Sequence, residues 1–454
     1  MGGGTTAAYR VAAVLIWALA IWHSWISRGL FVDGAPTLVF MMHNRGYALF
    51  YDARQTLTAI TQTPAAIGLM LGITDSHLLA RLFSVGFFFV PTAYYHVSLW
   101  RARHDPALLG AVLLAIAVVF LPTSFFIMGE YNAILAALLF VAVSMATTDR
   151  PTPGLGIAMI ATGLMLQRSY ETMLVFGPLA AGLVVWRLRR SGRRDIGSLL
   201  YGLAAAAFLG TAGFSLQSIL LEPHDAGHMR ETLIGITWFW TNLQFVLPLS
   251  ALMIVAAAGL IVPRSLESLR LYWVPGLLLV LLALSPLLWL GDGSIRPYPK
   301  GHYHSRMVAS MVMAAIVIAV WLYAVRGAWT PRVLGVLARP DGGRRLMLFG
   351  LAALLAALPA DIVLSELWRR SVMVFQTTIA ARHGLIPVEE TAFSRDPYQY
   401  LVENWSLASQ SLALRRSPRD GIIVPPRGFA YWQFIDGAKP WINDIDHYRW
   451  DDGR

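Results

Sequence analysis

Long apolar segments recur along the whole chain of 454 residues, and they constrain its fold more than any other feature. A segment of about 18 to 25 mostly apolar residues can cross the hydrocarbon core of a bilayer. Hydrophobic residues make up 56% of the chain and charged residues only 14%, a balance typical of membrane proteins. The sequence therefore predicts an all-α polytopic membrane protein with about eleven spans, at 9–28, 77–99, 107–127, 132–148, 154–168, 171–187, 198–220, 243–262, 271–290, 307–325 and 346–367.

The loops between these segments fall into two alternating classes. One class is rich in arginine, as in "RLRRSGRRD", and the other is richer in acids, histidines and aromatic residues. The positive-inside rule places the arginine-rich class in the cytoplasm, together with the N-terminus. Arginine in place of lysine, with abundant alanine and glycine, indicates a GC-rich bacterial genome and hence the inner membrane. The expected external segments are 29–76, 128–131, 167–171, 221–242, 291–306 and the tail from about 370.

Composition also excludes several classes of function. The net charge of +10 is not concentrated in a soluble basic domain, so we expect no nucleic-acid partner. The absence of cysteine excludes disulfides and thiolate metal sites. The sequence contains no P-loop, no Rossmann glycine pattern and no H-E-x-x-H motif, so nucleotide-driven transport and zinc-protease chemistry have no support.

Two of the expected external parts are too long to be simple turns. We divide the chain into a transmembrane module, 1–369, and an external C-terminal domain, 370–454. The first external loop, 29–76, mixes apolar and polar residues at helical spacing, which predicts one or two amphipathic helices at the membrane interface. Within that loop Asp52 and Arg54 are expected to pair locally or to face water. Pro and Gly turns in the tail predict a small α+β or strand-poor cap.

Acidic residues recur on the expected external face, where ionisable groups are candidates for function. Asp33 follows the first span, and Glu130 lies in "MGEYN" between the third and fourth. If these carboxylates meet over one pocket, one can accept a proton from an acceptor hydroxyl as a general base. The other can orient the acceptor or help to bind a hard divalent cation such as Mg²⁺ or Mn²⁺. The alternatives are a solvated loop residue for Asp33 and a helix cap for Glu130.

Basic and aromatic residues gather in a late external loop, "RPYPKGHYHSRM". Such a group can hold a phosphate and stabilise the charge on it as it leaves. A loop that contacts lipid headgroups is the alternative interpretation. The candidate substrate-binding residues are Arg168, Lys300, His302, Tyr303, His304 and Arg306.

In its layout the chain resembles the GT-C superfamily of integral-membrane glycosyltransferases over residues 8–370. An acid follows the first span in "FVDG", and the second span opens with "ITDSHLLARLFSVGFFF". A second acid lies in "GEYN", and a late loop ends in a basic residue in "YHSRMV". Many relatives carry paired acids after the first span, whereas Gly34 follows Asp33 here.

The resemblance implies a hexosyl or pentosyl transferase of the cell envelope that uses a polyprenyl-phosphate sugar. It would transfer the sugar to a glycan, lipid or protein acceptor on the external face, beside membrane lipids. By analogy Asp33 is the catalytic base, Glu130 an accessory acid, and residues 300–306 contact the donor phosphate.

A secondary transporter or lipid flippase is the main rival, and a structural membrane protein without an active site is a third reading. A transporter predicts ionisable residues or broken helices near the midplane and often inverted repeats. In this sequence ionisable residues are scarce within the spans and charges crowd one face, which favours the enzyme.

Overall fold

The structure, a computed structural model, describes residues 2–49, 54–125, 130–192, 195–221, 236–290, 299–325, 332–417 and 419–425. Asp52 lies outside the described residues, and so does the side chain of Lys300. The chain is almost entirely helical. Its α-helices, α1 to α15, are Gly2–Trp25, Gly34–Asn44, Gln55–Met70, Ser76–Ala102, Pro106–Leu114, Glu130–Thr147, Pro153–Met165, Met173–Ser191, Ile196–Leu221, Leu243–Ile261, Trp273–Leu290, Pro299–Val325, Arg332–Leu337, Pro340–Ala380 and Leu407–Leu414.

Nine helices within the described ranges are long and apolar enough to cross a membrane. They are α1, α4, the helical run Pro106–Thr123 that begins as α5, and α6, α9, α10, α11, α12 and α14. Each coincides with a predicted span. The structure therefore confirms an all-α, multi-pass membrane protein.

The two remaining predicted spans form α7 and α8, which a turn at 166–172 separates. A β-carbon on Gly156 of α7 would meet Leu200 of α9, and one on Gly163 would meet Ala207, so α7 runs in the direction of α9. Helix α8 leads into α9 through a short loop and runs the opposite way. Helices α7 and α8 are therefore antiparallel, and both pack against α9. With 13 residues, α7 is only about 20 Å long.

Small residues allow the central helices to pack closely. A β-carbon on Gly86 of α4 would lie 1.7 Å from the Thr61 carbonyl oxygen of α3. Between α5 and α14, a β-carbon on Gly350 would lie 2.9 Å from the Gly110 carbonyl oxygen. Close backbone approach at small residues is a common way to join helices where lipid replaces water.

Helix α14 connects the transmembrane module to the tail. Its 41 residues extend for about 60 Å, twice the thickness of the hydrocarbon core. It crosses the predicted domain boundary at 370 without interruption and ends at Ala380. Beyond it, β1 (Leu385–Pro387) and β2 (Ile422–Val424) pair in parallel, and α15 packs against α2. The division at residue 370 stays a prediction.

The first external loop contains two helices, α2 and α3, but α2 does not lie open on a lipid surface. Leu38, Val39, Met41 and Met42 are fully buried, because the tail covers the apolar face of α2. The apolar face of α2, which on its own indicates an interfacial helix, packs here against protein.

Contacts gather the predicted external segments at one end of the bundle. The backbone N–H of Thr56 donates to the Arg168 carbonyl, and the Trp368 indole donates to the Ile26 carbonyl. The Tyr131 hydroxyl donates to the Arg306 carbonyl. At the other end, among the arginine-rich loops, the Tyr323 hydroxyl donates to Asp105. The contacts therefore join loops of the same class at the same end of the bundle, as the predicted alternation requires.

Candidate functional site

Asp33 lies in a tight turn between a 3-10 segment, Arg28–Leu30, and α2. The preceding residue, Val32, is fully buried and has φ of 51°, in the left-handed region. A β-branched residue adopts this conformation only at a cost and only where its surroundings impose it. Strain of this kind clusters at functional sites, and here it decides where the Asp33 side chain lies.

The carboxylate of Asp33 is not used by its own helix. Asp33 occupies the N-cap position of α2, where an aspartate usually accepts bonds from the first turn, yet it makes no side-chain cap bond. The turn is held instead through its backbone and Thr37, whose hydroxyl donates to the Asp33 carbonyl at 2.7 Å. The side chain remains partly exposed and is thus available to a ligand.

Gly34 leaves no room for a second carboxylate next to Asp33. A β-carbon on Gly34 would lie 1.6 Å from the Gly29 carbonyl oxygen, a distance that no side chain can occupy. The Gly29 N–H is in turn bonded to the Ser84 hydroxyl of α4 at 3.0 Å. The turn can therefore carry one carboxylate but not two adjacent ones.

Gly34→Ala is expected to displace this turn, because the clash is with backbone. The expected cost is at least about 2 kcal/mol in the free energy of unfolding. Thermal unfolding in detergent measures this effect. Gly154→Ala is the matched control, since a β-carbon there meets nothing within 4 Å. Equal unfolding temperatures for the two variants would contradict the geometry of the turn.

Charged groups from far-apart segments surround Asp33. We call Asp33, Arg54, Glu130, Glu171 and Arg306 the external charge cluster. Glu130, Arg54 and Arg306 each act electrostatically on the Asp33 carboxyl. Arg54 forms an ion pair with Glu171 at 3.1 Å, a partner that is distant in sequence.

Glu130 begins α6 and is only 1% exposed. Its Oε1 accepts a hydrogen bond from the Thr58 hydroxyl at 2.7 Å. Its Oε2 is buried with no hydrogen-bond partner among the described residues. A plain helix cap would be solvated or fully bonded, whereas an unsatisfied buried carboxylate oxygen is costly and calls for a ligand or water.

Burial and the Glu130 carboxylate raise the pKa of Asp33 to about 8, and Arg54 and Arg306 oppose this shift. A carboxyl that titrates near neutral pH is matched to general acid–base chemistry. Perturbed groups of this kind mark candidate functional sites. The combination of backbone strain at Val32, partial burial and a raised pKa distinguishes Asp33 from a solvated loop residue.

Arg306 is the cation of the cluster best suited to an anionic ligand. Its guanidinium stacks on the Tyr303 ring at 3.8 Å and donates to the Tyr303 hydroxyl at 2.9 Å. It is partly exposed and forms no ion pair within the described part of the chain. Arg168 lies nearby, bonded to Gln55 at 3.2 Å and stacked over Phe214.

The two histidines of the late loop lie deeper than the arginine. The Nδ1 of His302 accepts from the Phe125 N–H at 3.1 Å, and its Nε2 lies 2.8 Å from the Gln244 amide oxygen. Both ring nitrogens are thus engaged within the protein, which indicates a structural role. His304 is nearly buried, with its ring near Trp238 and Tyr303.

The structure also contains a group that sequence reasoning missed. We call His23, Arg28, Ser124, Asp361 and Ser365 the buried ionic network. Asp361 lies 2.8 Å from the His23 Nε2 and 3.1 Å from the Arg28 Nη1. The guanidinium also donates to Ser124 at 3.0 Å and to Ser365 at 2.9 Å. Arg28 and Asp361 are 2% and 1% exposed, so the charges are out of water.

The contacts of the network indicate its role. Asp361 lies about 7 Å beyond the midpoint of the predicted span 346–367 and about 9 Å before its end, towards the Asp33 turn. Arg28 belongs to the 3-10 segment that leads into the Asp33 turn. The network therefore ties that turn to α14 and to the segment before Glu130.

The described residues contain no group of three His, Asp or Glu side chains arranged to hold a metal ion. Asp33 and Glu130 would leave a cation to be completed by ligand oxygens, as Mg²⁺ often is by substrate phosphates.

Comparisons of the chain with models of protein families, with curated proteins and with solved structures give no significant match.

Proposed function

We propose that this chain is a membrane glycosyltransferase that moves a sugar from a polyprenyl-phosphate donor to an acceptor hydroxyl on a glycan, lipid or protein. One observation supports this most directly. Asp33, Glu130, Arg54 and Arg306, which come from distant segments, interact at one end of a transmembrane bundle. A general base beside a phosphate-binding cation is what such a transfer requires.

The proposed reaction is a single displacement with inversion at the anomeric carbon. The Asp33 carboxylate accepts the proton of the acceptor hydroxyl, and that oxygen forms a bond to the anomeric carbon. The bond from this carbon to the phosphate oxygen breaks, and its electron pair leaves with the polyprenyl phosphate. Arg306 stabilises the charge that develops on the phosphate, and Glu130 orients the acceptor.

We also propose a number and an orientation for the membrane spans. With α7 and α8 as further crossings the chain has eleven spans in a GT-C-like arrangement, with a cytoplasmic N-terminus and an external C-terminus in a bacterial inner membrane. The arginine-rich loops support this sidedness. Purified protein incubated with a panel of radiolabelled polyprenyl-phosphate sugars, with and without a chelator, tests the donor class and the part of a divalent cation.

The rate of transfer is expected to depend on pH through Asp33. A base acts when deprotonated, so kcat/KM should rise about tenfold per pH unit below about 8 and level off above it. Glu130→Gln removes a negative charge near Asp33 and should shift the rising limb of the pH–rate profile to lower pH. Arg306→Gln removes a positive charge and should shift this limb to higher pH. A pH–rate profile of the three proteins checks the signs. Limbs that coincide in all three would contradict the assignment of the base.

Arg306→Gln is also expected to weaken donor binding. Loss of one charge-assisted contact to phosphate should raise the KM for the donor by about 10- to 100-fold. Arg395→Gln, an exposed arginine of the tail, is the control and should leave KM unchanged. If the two variants behave alike, Arg306 does not contact the donor.

A secondary transporter or lipid flippase is the second candidate, because the buried ionic network places His23, Arg28 and Asp361 inside the bundle. Buried ionisable groups in membrane proteins often serve proton-coupled transport. The contact of Asp361 with Arg28, in the 3-10 segment that leads into the Asp33 turn, favours a role in positioning that turn over a transport site.

A further inference from the structure

Charged side chains also surround a cavity at the opposite end of the bundle. The cavity has a volume of about 300 Å³, at the lower end for small-ligand sites. Its polar lining is formed by Asp105, Asp149, Arg187, Arg190 and Tyr323. It lies where α5 begins and where α6, α8 and α12 end, among the arginine-rich loops.

Part of this lining is fixed by bonds within the protein. The Tyr323 hydroxyl donates to Asp105 Oδ2 at 3.0 Å, and Asp105 Oδ1 accepts from the Ala107 N–H at the start of α5. Arg187 is buried, and its Nε and Nη2 donate to the Met145 carbonyl at 2.8 and 2.6 Å. The wall is therefore formed before any ligand arrives.

Two other charged side chains of the lining are accessible to a ligand. Asp149 and Arg190 are exposed, and neither forms an ion pair within the ranges that the structure describes. Both act electrostatically on Arg187, which places them around the same space. The cavity thus presents two guanidinium groups, the carboxylate of Asp105, which is already bonded to Tyr323 and Ala107, and the open carboxylate of Asp149.

We propose that this cavity binds a phosphoethanolamine group, with the phosphate at Arg187 and Arg190 and the ammonium at Asp149. Paired cations suit a phosphate, and a carboxylate suits a primary ammonium that donates hydrogen bonds. Leu108 and Val325 give the same cavity an apolar side. At the membrane-facing ends of helices, phosphatidylethanolamine is the expected source, although free phosphoethanolamine has the same chemistry.

This assignment separates three lipid headgroups. Phosphatidylcholine carries the same charges, but its quaternary ammonium donates no hydrogen bond to Asp149. Phosphatidylglycerol offers a phosphate without an ammonium and would leave the carboxylate unpaired. A site with only arginines would prefer the anionic lipid instead.

Native mass spectrometry of the full-length protein with an equal mixture of the three lipids, matched in acyl chains, tests the proposal. Phosphatidylethanolamine adducts are expected to exceed phosphatidylcholine adducts by about tenfold, the effect of one charge-assisted hydrogen bond. Asp149→Ala, which removes the acceptor, should bring that ratio close to one. Arg190→Gln should lower binding of phosphatidylethanolamine, while Arg189→Gln, an exposed neighbour outside the cavity lining, should not.

Two results would overturn the proposal: phosphatidylglycerol bound as strongly as phosphatidylethanolamine, or an unchanged lipid ratio in Asp149→Ala. Because Asp149 and Arg190 are exposed, both variants should fold, which their unfolding temperatures check. Titration with free phosphoethanolamine separates the two sources. A dissociation constant below about 0.1 mM would identify the soluble compound, and weaker binding the lipid. Neither outcome depends on sugar transfer.

Discussion

Asp33→Asn is expected to lower the rate of sugar transfer by about 10²- to 10⁴-fold, the usual contribution of a general base. Asparagine has the same shape as aspartate, so the strained turn at Val32 and the packing of Gly34 against Gly29 should persist. What is lost is the group that accepts the acceptor's proton. Steady-state kinetics should show the change in kcat with little change in the KM for the donor.

Stability gives this prediction a second readout. Burial raises the pKa of Asp33 from 3.8 to about 8, so the folded protein favours the protonated form. The ionised carboxylate therefore lowers the free energy of unfolding as pH rises through this window. Asparagine removes that cost, so Asp33→Asn should unfold at the same temperature as the wild type at pH 8 or at a higher one.

Asp75→Asn is the matched control for this substitution. Asp75 caps α4 through the His77 and Leu78 N–H groups, and asparagine caps helices equally well. The variant should keep wild-type activity and stability. Equal losses in Asp75→Asn and Asp33→Asn, or an active and less stable Asp33→Asn, would contradict the role of Asp33.

Asp361→Asn is expected to destabilise the protein by about 3–5 kcal/mol, because it leaves the Arg28 guanidinium buried without its counter-charge. Replacing both partners by apolar residues of similar size is often tolerated. The double variant Arg28→Met with Asp361→Leu should therefore recover much of the stability. Chemical denaturation in detergent of the wild type, the single and the double variant measures this recovery.

Activity should not recover with stability. Without the network the 3-10 segment before Asp33 is no longer tied to α14, and a displacement of about 1 Å can cost about 10²-fold in rate. The double variant should thus be folded but should transfer sugar slowly. The rising limb of its pH–rate profile should lie at a different pH from that of the wild type. Arg187→Met, which removes a buried arginine at the other end of the bundle, should leave that limb in place. A stable double variant with full activity would show that the network only supports the fold.

The spans were readable from the sequence because they depend on local length and hydropathy. The burial of α2 by the tail could not be predicted, because an amphipathic pattern does not say whether lipid or protein meets the apolar face. What covers Leu38 and Met41 is the tail, which lies far away in the sequence. The continuation of α14 past residue 370 was also hidden, because Glu366, Arg369 and Arg370 resemble the start of a loop while they form i,i+3 and i,i+4 pairs on a helix.

The candidate site was also predictable only in part from the sequence. Charged residues beside span ends are visible in a sequence, and Asp33, Glu130 and Arg306 could be chosen on that basis. Arg54 joins them through Glu171, across 117 positions, and no local pattern announces such a pair. Asp361 carried a signal, as an acid inside an apolar helix, but its partners His23 and Arg28 lie at the opposite end of the sequence.

A transport-and-transfer assay in liposomes tests the central claim most directly. The protein is reconstituted with a polyprenyl-phosphate sugar labelled in the sugar, and an acceptor is supplied on the side that carries Asp33. The claim predicts that label moves to the acceptor while polyprenyl phosphate is released, and that Asp33→Asn stops both. Passage of the intact labelled lipid across the bilayer, with its sugar–phosphate bond unbroken and no labelled acceptor from any donor of the panel, would contradict it and identify a flippase.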